Sequence, residues 1–526
     1  MDRHTIRSSL FFMIGIALSW VNNDIIFASS IVVEKPAELL EQKTVKSSVK
    51  QPETSNSHAL FVKGFACTPS TKDATLEVKG TVPAWLTGSY YAVGPGQCEL
   101  DGKRAPGWFD GFAMAHRFTL NADHITYANH VIESEYAAQS RAQGKITGTV
   151  PEVKPSTWSK VSSLWSSNQR PAYDNTNLNV VQLDRHLLAL TETPHAYALE
   201  GKQITSSRKT YHDNLECQFC CAHLAHDNTR HGWYSFGINF ARSSSYQVYS
   251  IDARTLKRTV IATIPVSNPA YMHSFALTPT YIILIETPFV VSPWDLFWNN
   301  TAFLDTFQWK PQLGTQFIVL ERRTGAIVGS FKTDPFFMLH CINAYEKESK
   351  LHIDLPCYSD AQVVKSFKFC NIFNPDFVYP RNQLRRYTID LKDKKITNRV
   401  LSTQHLEMPR INPDTFCHAY EYVYGMSTTV ANVLTNQLVK VQVNTGTVCT
   451  WQHEGCFPSE PLFIPKPHAK TQDEGVVFSI VYDANAHRSF LLILDAQSYK
   501  EVARAVVPHH ISYCVHGTWQ SLAIKA

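Results

Sequence analysis

Apolar and polar positions alternate through most of the chain in short runs, each broken by a polar turn. Five segments share one rhythm of strand, polar turn and return strand: Val248 to Thr255, Phe317 to Gly325, Tyr387 to Asp390 with its lysine-rich turn, Val439 to Gly446, and Leu491 to Ala496. Val, Ile, Tyr and Phe suit a pleated, half-buried surface, and Asp, Asn, Thr and Gly suit the turns between strands. Further strands are predicted at His186–Thr193, Trp233–Phe240, Tyr281–Thr287, Leu351–Cys357 and Val476–Tyr482. Long amphipathic helices are scarce. Many short hairpins without an intervening linker predict an all-β chain, and one radial architecture, a β-propeller, accounts for them better than two stacked β-sandwiches.

The N-terminus departs from that rhythm. Arg3 and Arg7 precede an apolar run from Leu10 to Val21, and small residues follow to Ser30. Residues 1–29 therefore read as a signal peptide, the alternative being an uncleaved N-terminal anchor. Residues 30–58 are rich in Lys, Glu, Ser, Thr and Pro and read as a solvated linker. The folded body is placed at 59–526. The leader predicts an exported protein, periplasmic or secreted, or a membrane-associated one, with an intracellular membrane surface as the alternative.

Composition removes several function classes. With 44% hydrophobic residues, a disordered chain is excluded. The net charge is only +4 and the basic residues form no run, so no nucleic-acid partner is expected. Twelve cysteines show no framework spacing. Cys217, Cys220 and Cys221 cluster without a second pair to complete a zinc site, so mostly buried free thiols are expected.

The 22 histidines carry the candidate chemistry. His223, His273, His340 and His516 sit at edges of predicted strands, far apart in sequence. Inner strands of a propeller converge on one axis, where single residues from separate blades meet. Neutral imidazole is a ligand for iron, copper or zinc. Spacing alone leaves His226, His509 and His510 as alternatives, and a lone buried histidine is more often hydrogen-bonded core.

At these residues the chain resembles the carotenoid cleavage oxygenase family, in particular its animal-type branch of β-carotene oxygenases and the retinal pigment epithelium retinoid isomerase. The likeness runs over residues 60–522. It is carried by Gly88 to Gly96, Trp108 to Phe118, Tyr271 to Pro279, His340 to Glu346, Pro458 to Phe463, Glu501 to Arg504 and His516-Gly517. The resemblance implies a seven-bladed β-propeller, with loops and short helices forming a cap over an axial Fe(2+). It implies His223, His273, His340 and His516 as the iron ligands, backed by Glu192, Glu407 and Glu460. A carboxylate behind a ligating imidazole fixes its tautomer and orientation. Thr191 is a candidate border of the oxygen position and Tyr271 a candidate pocket aromatic.

Two departures stand out. Leu224 replaces the proline that usually follows the first ligand. Residues 151–160 hold no cysteine where the isomerase branch has one, which argues against that branch's lipidation and isomerase features. The implied reaction is cleavage of a conjugated double bond of a carotenoid or apocarotenoid by O2, giving two carbonyl products. Alternatives are a retinoid isomerohydrolase or a stilbene-cleaving oxygenase on the same site, or a non-catalytic lipid-binding propeller. A polyene substrate implies peripheral membrane contact. Two aromatic stretches suit it: Trp158, Leu164 and Trp165, and Trp294 and Phe297.

Overall fold

A computed structural model describes residues 54–121, 123–146, 173–201, 204–209, 211, 213, 215–227, 232–298 and 301–521. The leader, nearly all of the linker, and Trp158, Leu164 and Trp165 lie outside the described residues.

Seven antiparallel sheets of four to six strands follow one another along the chain as the blades of a propeller. Starting from the innermost strand, the first blade runs Gly517–Ser521, Gly88–Gln97, Phe112–Leu120, Ile125–Val131 and Ala74–Thr75. The second holds Asn179–Leu183 to Thr205–Lys209, the third Phe219–Cys220 to Arg258–Val266, and the fourth Ala276–Leu277 to Ile327–Thr333. The fifth holds Asn343–Lys347 to Lys395–Ser402, the sixth Glu407–Arg410 to Val448–Trp451, and the seventh Cys456–Pro458 to Glu501–Val506. The ring is closed twice. Gly517–Ser521 pairs with Gly88–Gln97 in the first blade, and Glu77–Gly80 pairs with Glu501–Val506 in the last.

Each of the five repeating sequence segments is the outer hairpin of one blade, from the third to the seventh. The turns share one device. Asp252, Asp390, Gln442 and Asp495 accept a hydrogen bond from the backbone N–H three residues on. Glu321 does the same for Thr324. The next residue is left-handed in all five: Leu256, Gly325, Lys394, Gly446 and Tyr499. Only two of these are glycine, so at the other three the turn holds a conformation that L-residues avoid.

The core is divided into seven wedges, each filled by side chains of two consecutive blades. Phe317, Val319 and Ile283 of the fourth blade meet Leu351, Ile353 and Tyr387 of the fifth, for example. Strands buried on both faces read as continuous apolar runs, as in Gly475–Asp483, where eight of nine residues are buried. An eighth cluster lies under the cap. Phe61, Phe65, Trp108, Phe369 and Tyr513 join the helix Thr54–Phe61 and the segments after Gly107 and Lys368 to the propeller. Residues 54–58, assigned to the linker on composition, are helical here. His58 is buried against the Ile372 carbonyl (2.9 Å), and this anchoring overrides the polar composition. No helix among the described residues is long and apolar enough to cross a membrane. All twelve cysteines are free, and eight are buried.

Candidate metal centre

Each blade sends one side chain to the axis. His223 lies between the inner segments Phe219–Cys220 and Ala225–Asp227 of the third blade, His273 and His340 three positions before the inner strands of the fourth and fifth, and His516 directly before that of the first. Glu192 follows the second strand of the second blade, Glu407 opens the inner strand of the sixth, and Glu460 interrupts that of the seventh. Inner strands are short because the blades narrow toward the axis. The four histidines fall where pairing stops and the chain is free to point inward.

One nitrogen of each of the four histidines lies within 4.8 Å of the others. The Nε2 atoms of His223 and His273 are 3.0 Å apart, and those of His340 and His516 are 3.3 Å apart. Behind three rings stand the glutamates. His273 Nδ1 donates to Glu192 (2.6 Å), His340 Nδ1 to Glu407 (2.7 Å) and His516 Nδ1 to Glu460 (2.6 Å). Since an ionised carboxylate only accepts, the proton of each imidazole sits on Nδ1 and Nε2 turns its lone pair to the axis.

The glutamates are held in turn. Tyr271 donates its hydroxyl to Glu192 (2.9 Å), and Tyr358 donates to Glu407 (2.9 Å). Arg410 clamps Glu460 with two hydrogen bonds of 2.7 and 3.0 Å, and the Gly517 N–H adds a third at 2.9 Å. Burial would raise the Glu460 carboxyl, but Arg410 and His516 outweigh it and hold it at about 2. Burial would likewise raise Glu407, and His340 draws it below the usual carboxylate range. Burial pushes the imidazoles the other way. His516 falls to about 4, His340 falls below its ordinary value, and His223, with three imidazoles beside it, falls well below. At neutral pH His223, His340 and His516 are thus neutral nitrogen donors, with charged carboxylates behind His340 and His516.

That arrangement fits a divalent transition metal. Lone pairs that face each other with no proton between them repel unless a cation lies among them. Two nitrogens bound at right angles to one ion at ~2.1 Å stand ~3 Å apart, which matches the spacing of the two close pairs. Imidazole suits iron, zinc and copper alike.

The site opens onto a cavity of about 1130 Å³. His273, His340 and His516 form its inner end with Thr191, Glu192 and Glu407. Phe240, Leu296, Phe303, Leu304 and Phe367 line it further out, several of them on the short cap helices Pro293–Trp298, Phe303–Thr306 and Ala361–Phe367. Thr191 is buried and its hydroxyl has no hydrogen-bond partner among the described residues. Trp294, 62% exposed, stands where the cavity meets the surface, and Trp298, on the same helix, is 69% exposed. Of Phe297 only the backbone is described.

The other candidate histidines lie elsewhere. His226 stacks on Trp233 with ring centroids 4.3 Å apart, His509 meets the Thr71 hydroxyl at 2.6 Å, and His510 meets the Ala66 carbonyl at 3.1 Å. Tyr271 does line the cavity, but its hydroxyl serves Glu192. Arg410 and Tyr358 went unrecognised in the sequence. Each acts through a glutamate brought close only by ring closure, and neither has a local pattern to mark it.

Comparison with known proteins agrees with this geometry. The chain is 29% identical over 474 residues to the carotenoid isomerooxygenase of Galleria mellonella, covering 84% of this chain and 92% of that one. It is 28% identical over 508 residues to the mitochondrial carotenoid-cleaving dioxygenase of Homo sapiens, covering 84% and 87%. The structure of cobalt-substituted apocarotenoid oxygenase from Synechocystis has the same fold, with a TM-score of 0.79 at 24% identity, covering 88% of this chain and 99% of that one. The model of the retinal pigment epithelial membrane protein family matches residues 64–521. The chain therefore belongs to that family, the carotenoid oxygenases.

Proposed function

We propose that this protein is a non-haem iron(II) dioxygenase that cleaves a conjugated double bond of a carotenoid or apocarotenoid to two carbonyl products. The observation that carries the reading is the convergence of four imidazoles, three of which line a large, mostly apolar cavity. His223, His273, His340 and His516 would hold the ion. When bound, Fe(2+) supplies the redox chemistry that lets dioxygen react with an alkene. No acid or base is required of the protein, so its work is placement. Glu192, Glu407 and Glu460 hold three imidazoles in the binding tautomer, and their charge offsets that of the ion. Tyr271 positions Glu192. Thr191, with its free hydroxyl at the inner end, borders the place where dioxygen enters.

The cavity, at about 1130 Å³, exceeds the ~300–1,000 Å³ of ordinary small-molecule pockets. That supports a long substrate, and its aromatic walls suit a polyene that carries no charge. The names of the relatives, a carotenoid-cleaving dioxygenase and a carotenoid isomerooxygenase, support the same substrate class.

The test is reaction with a panel of carotenoids under labelled dioxygen. Labelled aldehydes or ketones are the expected products. An alcohol without label would favour an isomerohydrolase instead. In parallel, His340→Ala and His516→Ala are expected to abolish both bound iron and product. A purified chain with no metal, and no effect of either change, would make it a binding propeller.

The exposed Trp294 and Trp298 at the cavity mouth support docking of that mouth on a membrane surface, where a polyene resides. Losing both indoles from the lipid interface removes enough apolar contact to weaken binding at least ~10-fold. Sedimentation of the Trp294→Ser/Trp298→Ser variant with phosphatidylcholine vesicles is the measurement, and unchanged binding would remove this contact.

A further inference from the structure

Cys217, Gln218, Phe219 and Cys220 form a C-x-x-C segment along the cavity wall, leading through Cys221 and Ala222 to His223. The Sγ atoms of Cys217 and Cys220 are 2.8 Å apart, inside the ~3.5–4.0 Å at which unbonded heavy atoms rest. The fold makes room for this approach. A Cβ on Gly237, in the adjacent strand, would lie 2.7 Å from Cys217 Sγ. The third cysteine is occupied elsewhere, since the Cys221 thiol donates to the His273 carbonyl (3.1 Å).

A fixed cation faces the pair. Arg258 is held by Asp213 through hydrogen bonds of 2.7 and 3.0 Å, lies 4.1 Å over the Tyr211 ring, and directs its remaining nitrogen at Cys220 Sγ (3.8 Å). Burial would raise the Cys220 thiol, but the Cys217 S–H donor and Arg258 hold it below its ordinary value. Cys217 lines the cavity and is the sulfur that a small solute reaches first.

We propose that Cys217 and Cys220 form a redox-active pair, which hydrogen peroxide entering through the cavity converts to a disulfide that stiffens the approach to His223. The step is balanced. Cys217 passes its proton to Cys220 and, as the thiolate, attacks one peroxide oxygen; the O–O bond breaks, and the departing hydroxide takes that proton from Cys220 and leaves as water. Cys220 then attacks the Cys217 sulfenic sulfur and releases the second water. Two S–H bonds and one O–O bond are broken, and one S–S and two O–H bonds are formed. The sulfurs lose two electrons and the peroxide gains them.

The consequence follows from the chain path. Among the described residues, His223 is the one axial imidazole with no carboxylate behind it. Its position rests on its backbone, which is tied at Cys220 N–H to the Glu192 carbonyl (3.2 Å) and paired at Phe219–Cys220 to the next strand. A disulfide three residues upstream removes freedom from that lead-in. The oxidised protein should hold a metal longer.

The full chain, stripped of metal, is treated with hydrogen peroxide, its free thiols are alkylated, and the peptide holding both cysteines is weighed. The expected peptide lacks two hydrogens, carries no alkyl group on Cys217 or Cys220, and is restored by dithiothreitol. Alkylation of both, or oxidation of Cys217 to a sulfinic acid without the bond, would overturn the proposal. Gly237→Ala retains both thiols but crowds Cys217, and should lower the disulfide yield severalfold. An undiminished yield would overturn the geometric argument. The second arm rests on the metal reading above. Oxidised and reduced protein are loaded with cobalt(II), and release to a chelator is timed. Severalfold slower release from the oxidised form is expected. Equal rates would overturn the link to His223, whereas failure of both forms to bind cobalt would overturn the metal reading and leave the thiol chemistry standing.

Discussion

His116 and His516 are almost equally buried, 1% and 3% exposed, yet they stand in different parts of the molecule and serve different ends. Burial pushes both rings down, to about 3 and about 4. Behind His116 Nδ1 is the Tyr127 hydroxyl (2.9 Å), which can give or take a proton and leaves the tautomer open. Behind His516 Nδ1 is Glu460 (2.6 Å), which can only accept. His405 repeats the first pattern, since Asn382 offers its Nδ1 both an accepting Oδ1 (3.1 Å) and a donating backbone N–H (3.2 Å), and His340 repeats the second with Glu407. Burial and neutrality therefore do not distinguish a structural histidine from a metal-binding one. The group behind the ring does, together with the other imidazoles at the axis.

The largest effect should come from removing the most heavily used of those groups. Glu460 pairs with His516 and Arg410 at once and is 2% exposed, whereas the Glu192 side chain is 18% exposed at the cavity wall. Glu460→Gln leaves Arg410 without its charge partner and should lower stability by about 3–5 kcal/mol, the usual cost of breaking a buried ion pair. Glu192→Gln should change stability little and instead weaken metal affinity ~10–100-fold. Urea unfolding and metal titration of the two variants check this. If both lose the same stability, the two sides of the centre are not built differently.

A pH experiment addresses the structural histidines. The folded state holds His116 neutral down to about 3, while in the unfolded chain it titrates near its ordinary value. Between these two values the unfolded state binds the extra proton, so this contribution to stability is present at pH 7 and is lost as the pH falls. It amounts to about 2 kcal/mol between pH 7 and pH 5. His116→Gln should reduce the difference between urea midpoints measured at those two pH values. An unchanged difference would mean that other groups carry the acid sensitivity.

The sequence displayed the outer hairpins and concealed the inner strands, for a physical reason. An outer hairpin such as Thr315–Glu321 with Ile327–Thr333 is long enough to show alternation, and its turn chemistry is local. An inner strand such as Ala276–Leu277 has two residues and no period at all. The axial histidines stand just before those strands, His223 and His273 lying 50 positions apart and His340 and His516 176 apart. Ring closure, not spacing, brings them together, so residue patterns alone left His226, His509 and His510 in contention. Motif likeness separated them. Arg410 and Tyr358 stayed hidden because the glutamates they hold, Glu460 and Glu407, lie 50 and 49 positions away. The cavity stayed hidden because Phe240, Phe303 and Phe367 come from three unrelated cap segments.

The smallest expected effect gives the sharpest contrast, because it compares neighbours. His223 and His226 are separated by Leu224 and Ala225, in the place where the usual proline is missing. His223 lies just before the strand Ala225–Asp227, while His226 lies within it, opposite Trp233, and stacks on that indole at an interplanar angle of 19°. His226 thus faces the side of the blade that carries Trp233, and its ring is spent on that stack. His226→Gln should therefore leave the metal per chain unchanged and cost about 1 kcal/mol of stability through the lost ring contact. His223→Ala should release the metal. Equal metal loss from both would mean that either histidine can serve, which would remove the structural basis for choosing between them.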